Sequence, residues 1–149
     1  GVQTCALPIF SETYYLLGIA CLRQGKLSEA LDAAHRAVAI GKESENHLDL
    51  AGSWRVLGQV VAAILQAGSH APVPTLASDQ PLPDPDACFA ESLRIYEKIG
   101  AKDELARTLQ AWAEFEQQQG RIEASRDRAQ AARQILNRLA EPQENLANT

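Results

Sequence analysis

Apolar and small residues recur along this chain at the spacing of α-helices, and polar residues fill the opposite helical faces. The first two helices are predicted over about residues 11–24 and 27–40, with a turn at Gly25 between them and a stop at Gly41. Their packing faces hold Tyr14, Leu17, Gly18, Cys21, Ala30, Ala34 and Ala37. Because most of these side chains are small, the two helices are expected to approach closely, with Gly18 at the nearest contact.

Four further helices follow the same spacing. Their predicted bounds are about 47–67, 85–99, 102–119 and 121–140. Ser11, Asn46 and Asp84 stand where N-caps are expected, since their side-chain oxygens can accept a hydrogen bond from a free backbone N–H. Residues 68–83 hold four prolines and no helical period, which predicts a loop. This loop is either a plain insertion or an extended Pro-rich arm that binds a partner.

Three helix-turn-helix repeats therefore follow one another, over about residues 11–44, 46–100 and 102–140. In the first, the order L-G-x2-C, Q-G-K-L-x2-A and A-x3-A-x2-A resembles the tetratricopeptide repeat (TPR), a unit of about 34 residues. The second repeat carries a similar pattern, W-x2-L-G-x2-V, from Trp54 to Val61, and the third is more divergent. The resemblance implies an all-α fold, in which three TPR-like helix-turn-helix repeats stack as a short right-handed α-solenoid.

The two ends of the chain do not follow this pattern. Residues 1–9, GVQTCALPI, resemble at every position the translation of a widely used short-read sequencing adapter. We therefore expect these residues to be an artefact, the helical domain to cover residues 10–140, and the natural N-terminus to be missing. Residues 141–149 are polar and are predicted to form a disordered tail at a genuine C-terminus.

Composition and charge narrow the classes of function. A hydrophobic content of 46 % with 22 % charged residues is typical of a soluble globular protein. The net charge of −5 disfavours general binding to nucleic acid or to an anionic membrane. No uninterrupted apolar run reaches the roughly 18 to 20 residues that span a bilayer. Cys5, Cys21 and Cys88 form no C-x-x-C pair, which favours unreactive thiols and a cytoplasmic location.

No motif for catalysis, metal binding or cofactor binding is found. The chain lacks a Gly-rich phosphate loop, an H-E-x-x-H pair and a G-x-S-x-G turn. The three histidines, His35, His47 and His70, stand far apart on different predicted elements and are interpreted as surface residues. Glu114 and Glu116 are interpreted as solvated or i,i+4-paired residues rather than an acid–base pair. We therefore expect no enzyme activity, no cofactor and no metal in this chain.

The TPR resemblance implies a concave groove lined by the first helix of each repeat. The residues expected to bind a partner there are Tyr15, Ile19, Arg23, Arg55, Gln59, Arg107, Gln110 and Glu114. Neighbouring groove positions hold Glu12, Leu22, Ala62, Ala63, Gln117 and Gln118. Three arginines beside an aromatic side chain suit a peptide or helix with some acidic character. Plain solvated surface is the alternative interpretation of the same residues.

Residues 89–120 also resemble the last repeats of large bacterial multidomain regulators, in which an ATPase, often beside a nucleotide cyclase or a helix-turn-helix domain, precedes a TPR tail. The leading hypothesis is a module that binds a protein or peptide, as the C-terminal part of such a signalling or transcription regulator. The alternatives are a non-catalytic, effector-sensing tail of a multidomain enzyme such as an ATPase-linked nucleotide cyclase, and a free-standing scaffold. Apolar surface around Tyr14 and Leu17 predicts self-association through the first repeat.

Overall fold

A computed structural model describes residues 10–68 and 81–142 of the chain. Within these two ranges the protein forms six α-helices and no strand, which confirms the predicted all-α class. The helices are α1 (Ser11–Arg23), α2 (Leu27–Glu43), α3 (His47–Ala67), α4 (Pro85–Ile99), α5 (Lys102–Gln118) and α6 (Ile122–Ala140). The predictions for residues 1–9, for residues 69–80 of the loop and for residues 143–149 of the tail lie outside the described residues.

The helices pack in pairs that follow the order of the chain. α1 packs against α2, α3 against α4, and α5 against α6. α3 also contacts α1 and α2, and α5 also contacts α3 and α4. In the described part of the chain, the first and third pairs make no contact with each other. The pairs therefore form an open stack in which each pair touches only its neighbours.

A small residue in the first helix of each pair lets the second helix come close. A β-carbon added to Gly18 would lie 3.5 Å from the carbonyl oxygen of Ala30 in α2, as predicted for a close approach. A β-carbon on Gly58 would lie 3.1 Å from the ring of Phe89 in α4. In the third pair, the carbonyl oxygen of Ala113 accepts a hydrogen bond of 2.7 Å from α6. A larger side chain at any of the three positions would separate the helices of its pair.

Three predicted helix ends are confirmed by their capping groups. The side chain of Asn46 accepts a hydrogen bond from the backbone N–H of Asp49. Asp84 does the same for Asp86 at the start of α4, with proline in the first turn. Gly100 ends α4 with a φ of 72°, in the left-handed region where glycine is favoured.

Two predicted helix ends are wrong. Ser11 begins α1 instead of capping it, because Phe10 occupies the N-cap position and the Ser11 hydroxyl is buried without a hydrogen-bond partner. Gly41 does not stop α2, which continues to Glu43. Instead, Gly41 lies against α3, where an added β-carbon would be 3.1 Å from Leu50. This glycine provides room for a neighbouring helix and does not end α2.

The buried side chains form three clusters along the stack. The largest joins α1, α2, α3 and α4. The second joins α3, α4 and α5 around Phe89, Trp112 and Phe115, and the third lies under the N-terminal half of α3. Cys21 and Cys88 are buried and free of disulfides. Burial raises the pKa of the Cys88 thiol to about 12, so this group stays protonated at neutral pH.

The central helix α3 is long and apolar enough to cross a bilayer, judged by length and composition. Its most apolar stretch has a mean hydropathy of 1.3, and 61 % of that stretch is buried inside the protein. Arg55 interrupts the run, which is why the sequence contained no unbroken apolar segment of this length. A core helix that neighbours cover on several sides is apolar around most of its circumference, so its composition resembles that of a membrane-spanning helix.

A polar network joins α4, α5 and α6. The carboxylate of Asp86 accepts hydrogen bonds of 2.6 Å from Trp112 Nε1 and 3.0 Å from Arg121. The guanidinium of Arg128 lies 3.3 Å from the centre of the Trp112 ring and 2.9 Å from a carboxylate oxygen of Glu116. Glu116 is only 1 % exposed, so its interpretation as a solvated residue is wrong.

The acid sensitivity of the protein is expected to depend in part on Asp86. Burial alone would raise the pKa of Asp86, but hydrogen bonds from Arg121 and Trp112 outweigh it and hold the pKa below the usual range. A carboxylate of this kind stabilises the folded state at pH values above its unfolded-state pKa of about 4. This contribution is lost as the pH falls through the lower folded-state pKa. Asp86→Asn should therefore lower the urea midpoint at neutral pH and flatten its decline in acid.

The measurement is a series of urea unfolding curves between about pH 7 and pH 2. Asp127→Asn serves as the control, because Asp127 is exposed and has no ion-pair partner within residues 10–68 and 81–142. If Asp86→Asn and the control follow the same pH profile as the unaltered protein, the Asp86 hydrogen bonds do not stabilise the fold as described.

Candidate functional site

The first helices of the three pairs, α1, α3 and α5, lie side by side with α3 in the middle. Near their N-terminal ends, Tyr15 lies against Gly52, and Arg55 pairs with Glu104. Near their C-terminal ends, residues of all three helices surround one cavity. The three helices therefore run in the same direction and form one surface, which we call the α1–α3–α5 face. Each of the eight predicted partner-binding residues belongs to one of these helices.

The cavity lies at the C-terminal end of the α1–α3–α5 face and has a volume of about 160 Å³. Its walls consist of Leu22, Gln59, Ala62, Ala63, Gln66, Phe89, Ala111, Glu114, Phe115 and Gln118. Of the eight predicted partner-binding residues, Gln59 and Glu114 line this cavity. Apolar side chains form much of the wall, and glutamine amides and one carboxylate supply its polar groups.

Arg55 is engaged within the protein. Its guanidinium lies 2.7 Å from a carboxylate oxygen of Glu104 in α5 and 5.6 Å from the ring centre of Tyr96. The side chain is only 15 % exposed. Arg107 approaches the other carboxylate oxygen of Glu104 at 3.6 Å while remaining largely exposed. Two of the three arginines expected to recognise a ligand thus have Glu104 as a partner already.

Tyr15 and Ile19 serve mainly to hold α1 on the stack. The ring of Tyr15 lies 3.2 Å from the position of a β-carbon at Gly52, and Ile19 packs against the largest apolar cluster. Burial raises the pKa of Tyr15 to about 12, and the nearby carboxylates of Glu12 and Asp49 add to the effect. Both side chains remain partly exposed, so they border the α1–α3–α5 face without projecting from it.

Arg23 and Gln110 are exposed on α1 and α5. Neither residue lines the cavity. Arg23 makes no ion pair with any residue in the two described ranges. Gln59 and Glu114 thus line the same cavity, and Arg55, Tyr15 and Ile19 pack within the protein. Arg23 and Gln110 remain exposed to solvent.

Several residues that shape the site were not among the predicted set. Gln66 lies one helical turn after Ala62 and Ala63, so the helical period could have included it. Phe89 comes from α4 and reaches the cavity between the first helices, which no spacing within one helix indicates. Glu104 was also missing from the predicted set. Its i,i+3 relation to Arg107 is visible in the sequence, but its contact with Arg55 is not.

The His, Cys, Asp and Glu side chains in the described part of the chain do not gather into a group that could hold a metal ion. No cluster of three or more His, Cys, Asp or Glu side chains occurs there. His35 is half-buried, which corrects its interpretation as a surface residue, and burial lowers its pKa. His47 is exposed, and His70 lies outside the described residues.

No family model, curated protein or solved structure matches this chain. The resemblance to TPR proteins therefore depends on residue spacing in the sequence.

Proposed function

We propose that this chain is a protein-interaction module, built from three TPR-like repeats in a short right-handed solenoid, that binds a peptide or partner domain on the α1–α3–α5 face. Two features of the packing support the repeat architecture. Each helix pair contacts only its neighbours, as in solenoids. Gly18, Gly58 and Ala113 occupy the same place in the three pairs, next to the second helix. We further propose, from the sequence resemblance, that the module is the C-terminal part of a larger bacterial regulator.

The cavity is the observation that carries the proposal. It opens on the face formed by three parallel helices, and it combines apolar walls with the amides of Gln59, Gln66 and Gln118. Its volume of about 160 Å³ is below the roughly 300 to 1,000 Å³ of typical small-molecule sites. A single side chain of a polypeptide fits this space better than an effector molecule does. This size favours the interaction module over the effector-sensing tail of an enzyme.

The proposal is tested by selecting ligands from a random peptide display library with the purified chain. We expect peptides to be enriched, and Gln118→Trp to abolish their binding, because Gln118 is exposed at the cavity and a tryptophan there fills it without disturbing the core. The matched control is Gln134→Trp, at an exposed position on α6 outside the cavity. The proposal fails if no peptide is enriched, or if the two variants bind the selected peptides equally well.

Self-association through α1 is a second expected property of this chain. Leu17 is 49 % exposed, whereas Leu57, at the same place in the second repeat, is 2 % exposed because the stack covers it. The packing that the sequence predicts for Leu17 does not form: Leu17 and Leu16 are exposed on α1, and Phe10 is exposed just before it. We expect the molar mass from light scattering to rise with protein concentration, and Leu17→Glu to prevent the rise.

A matched control is available at the other end of the stack. Leu139 on α6 is 50 % exposed, so Leu139→Glu places the same charge at an equally exposed site. This variant should associate as the unaltered protein does. A monomeric mass at all concentrations, or equal effects of the two variants, would argue against association through α1.

A further inference from the structure

The cavity on the α1–α3–α5 face carries a single charge in its walls. Glu114 is the only ionisable side chain among the residues that line it. The side chain of Glu114 is exposed, and it forms no ion pair within the described ranges of the chain. A negative charge at the mouth of a partly apolar cavity attracts a cationic group and repels a carboxylate.

The walls also suit a long side chain that ends in hydrogen-bond donors. Ala62, Ala63 and Phe115 offer apolar surface for an aliphatic stem. The side-chain amides of Gln59 and Gln118 each carry a carbonyl oxygen that can accept a hydrogen bond. Lysine and arginine combine such a stem with a charged head that only donates hydrogen bonds.

The arginines nearby lie outside the walls of the cavity. Arg55 lies 2.7 Å and Arg107 lies 3.6 Å from the single carboxylate of Glu104, which offsets part of their positive charge. Arg23 is exposed but does not line the cavity. The chain as a whole has a net charge of −5, which favours the approach of a basic partner.

We propose that the cavity receives a lysine or arginine side chain of the bound polypeptide, with Glu114 as its counter-charge. This inference rests on the proposed function, since it names the chemistry of the partner at that same site. It differs from the ligand of acidic character that the sequence suggested, because none of the three arginines behind that expectation lines the cavity, whereas Glu114 does.

The test uses capped single residues as probes, namely N-acetyl-arginine methylamide, N-acetyl-norleucine methylamide and N-acetyl-glutamate methylamide. Each is titrated into the ¹⁵N-labelled chain while amide resonances are followed by NMR. The arginine probe should shift the resonances of Gln59, Ala63 and Gln118 at lower concentration than the norleucine probe. The glutamate probe should leave these resonances unchanged. Failure of the arginine probe to shift these resonances, or equal shifts with norleucine, overturns the inference.

Two variants of Glu114 sharpen the test. Glu114→Gln should weaken binding of the arginine probe about fivefold, the size of one exposed ion pair, and Glu114→Lys should make the glutamate probe the preferred one. Glu97→Gln, at an exposed site on α4 outside the cavity, is the control and should change nothing.

The display experiment separates this inference from the proposed function. If the selected peptides lose binding in Gln118→Trp but keep it in Glu114→Gln, the chain is an interaction module and the basic-ligand inference is wrong. If no peptide is selected, the proposed function itself fails. If binding is lost in Gln118→Trp, is weakened in Glu114→Gln and requires a basic residue in the peptide, both are supported.

Discussion

Replacing Phe89 by alanine is expected to lower the free energy of unfolding by about 3 to 5 kcal/mol, the usual cost of removing a buried aromatic ring. Phe89 is fully buried, and its ring lies 6.1 Å from that of Trp112 and 6.2 Å from that of Phe115. It also fills the space over Gly58. The ring therefore joins α4 to both α3 and α5, and its loss opens a cavity where the second and third pairs meet.

The measurement is urea unfolding followed by circular dichroism and by tryptophan fluorescence. Phe10→Ala is the matched control, because Phe10 is 58 % exposed and its truncation should cost less than about 0.5 kcal/mol. A cost below about 1 kcal/mol for Phe89→Ala would show that the interface between the pairs does not depend on this ring. Because Phe89 also lines the cavity of the α1–α3–α5 face, peptide binding is not a suitable measure for this variant.

Replacing Arg128 by methionine is expected to cost about 3 kcal/mol, because it removes the ion-pair partner of the buried carboxylate of Glu116. The guanidinium lies 2.9 Å from that carboxylate, at an angle outside hydrogen-bond geometry, so the attraction is mainly between the charges. The guanidinium also stacks on the ring of Trp112. Methionine keeps the aliphatic stem of arginine, so the change removes the ion pair and the stacking of the guanidinium on Trp112.

Two comparisons identify the ion pair as the cause. Arg126→Met, at an exposed position on the same helix, should be nearly neutral. The double replacement Glu116→Leu with Arg128→Met should recover most of the lost stability, since a buried pair of charges can be exchanged for apolar side chains at little cost. If Arg128→Met is as mild as Arg126→Met, the buried carboxylate does not need this partner.

The sequence by itself determined the helices of this protein and most of their ends. The apolar spacing placed all six helices, and the caps at Asn46, Asp84 and Gly100 stand where the sequence predicts them. These features could be predicted because helix hydrogen bonds and caps join residues within about four positions of each other along the chain. The position of Gly18 could be predicted for the same reason, since it shares a helical face with its neighbours.

Only the tertiary structure decided which of the predicted turn and groove residues are engaged in contacts between helices and which stay exposed. Gly41 has the sequence pattern of a helix end, yet it lies inside α2 because α3 approaches it there. Arg55 has the pattern of a groove residue, yet it is paired with Glu104, which lies 49 positions away in the chain. Contacts of this range depend on how the pairs of helices stack, and no periodic pattern within one helix records them. The same reason explains why the cavity beside Glu114, part of whose wall comes from α4, was found only in the folded protein.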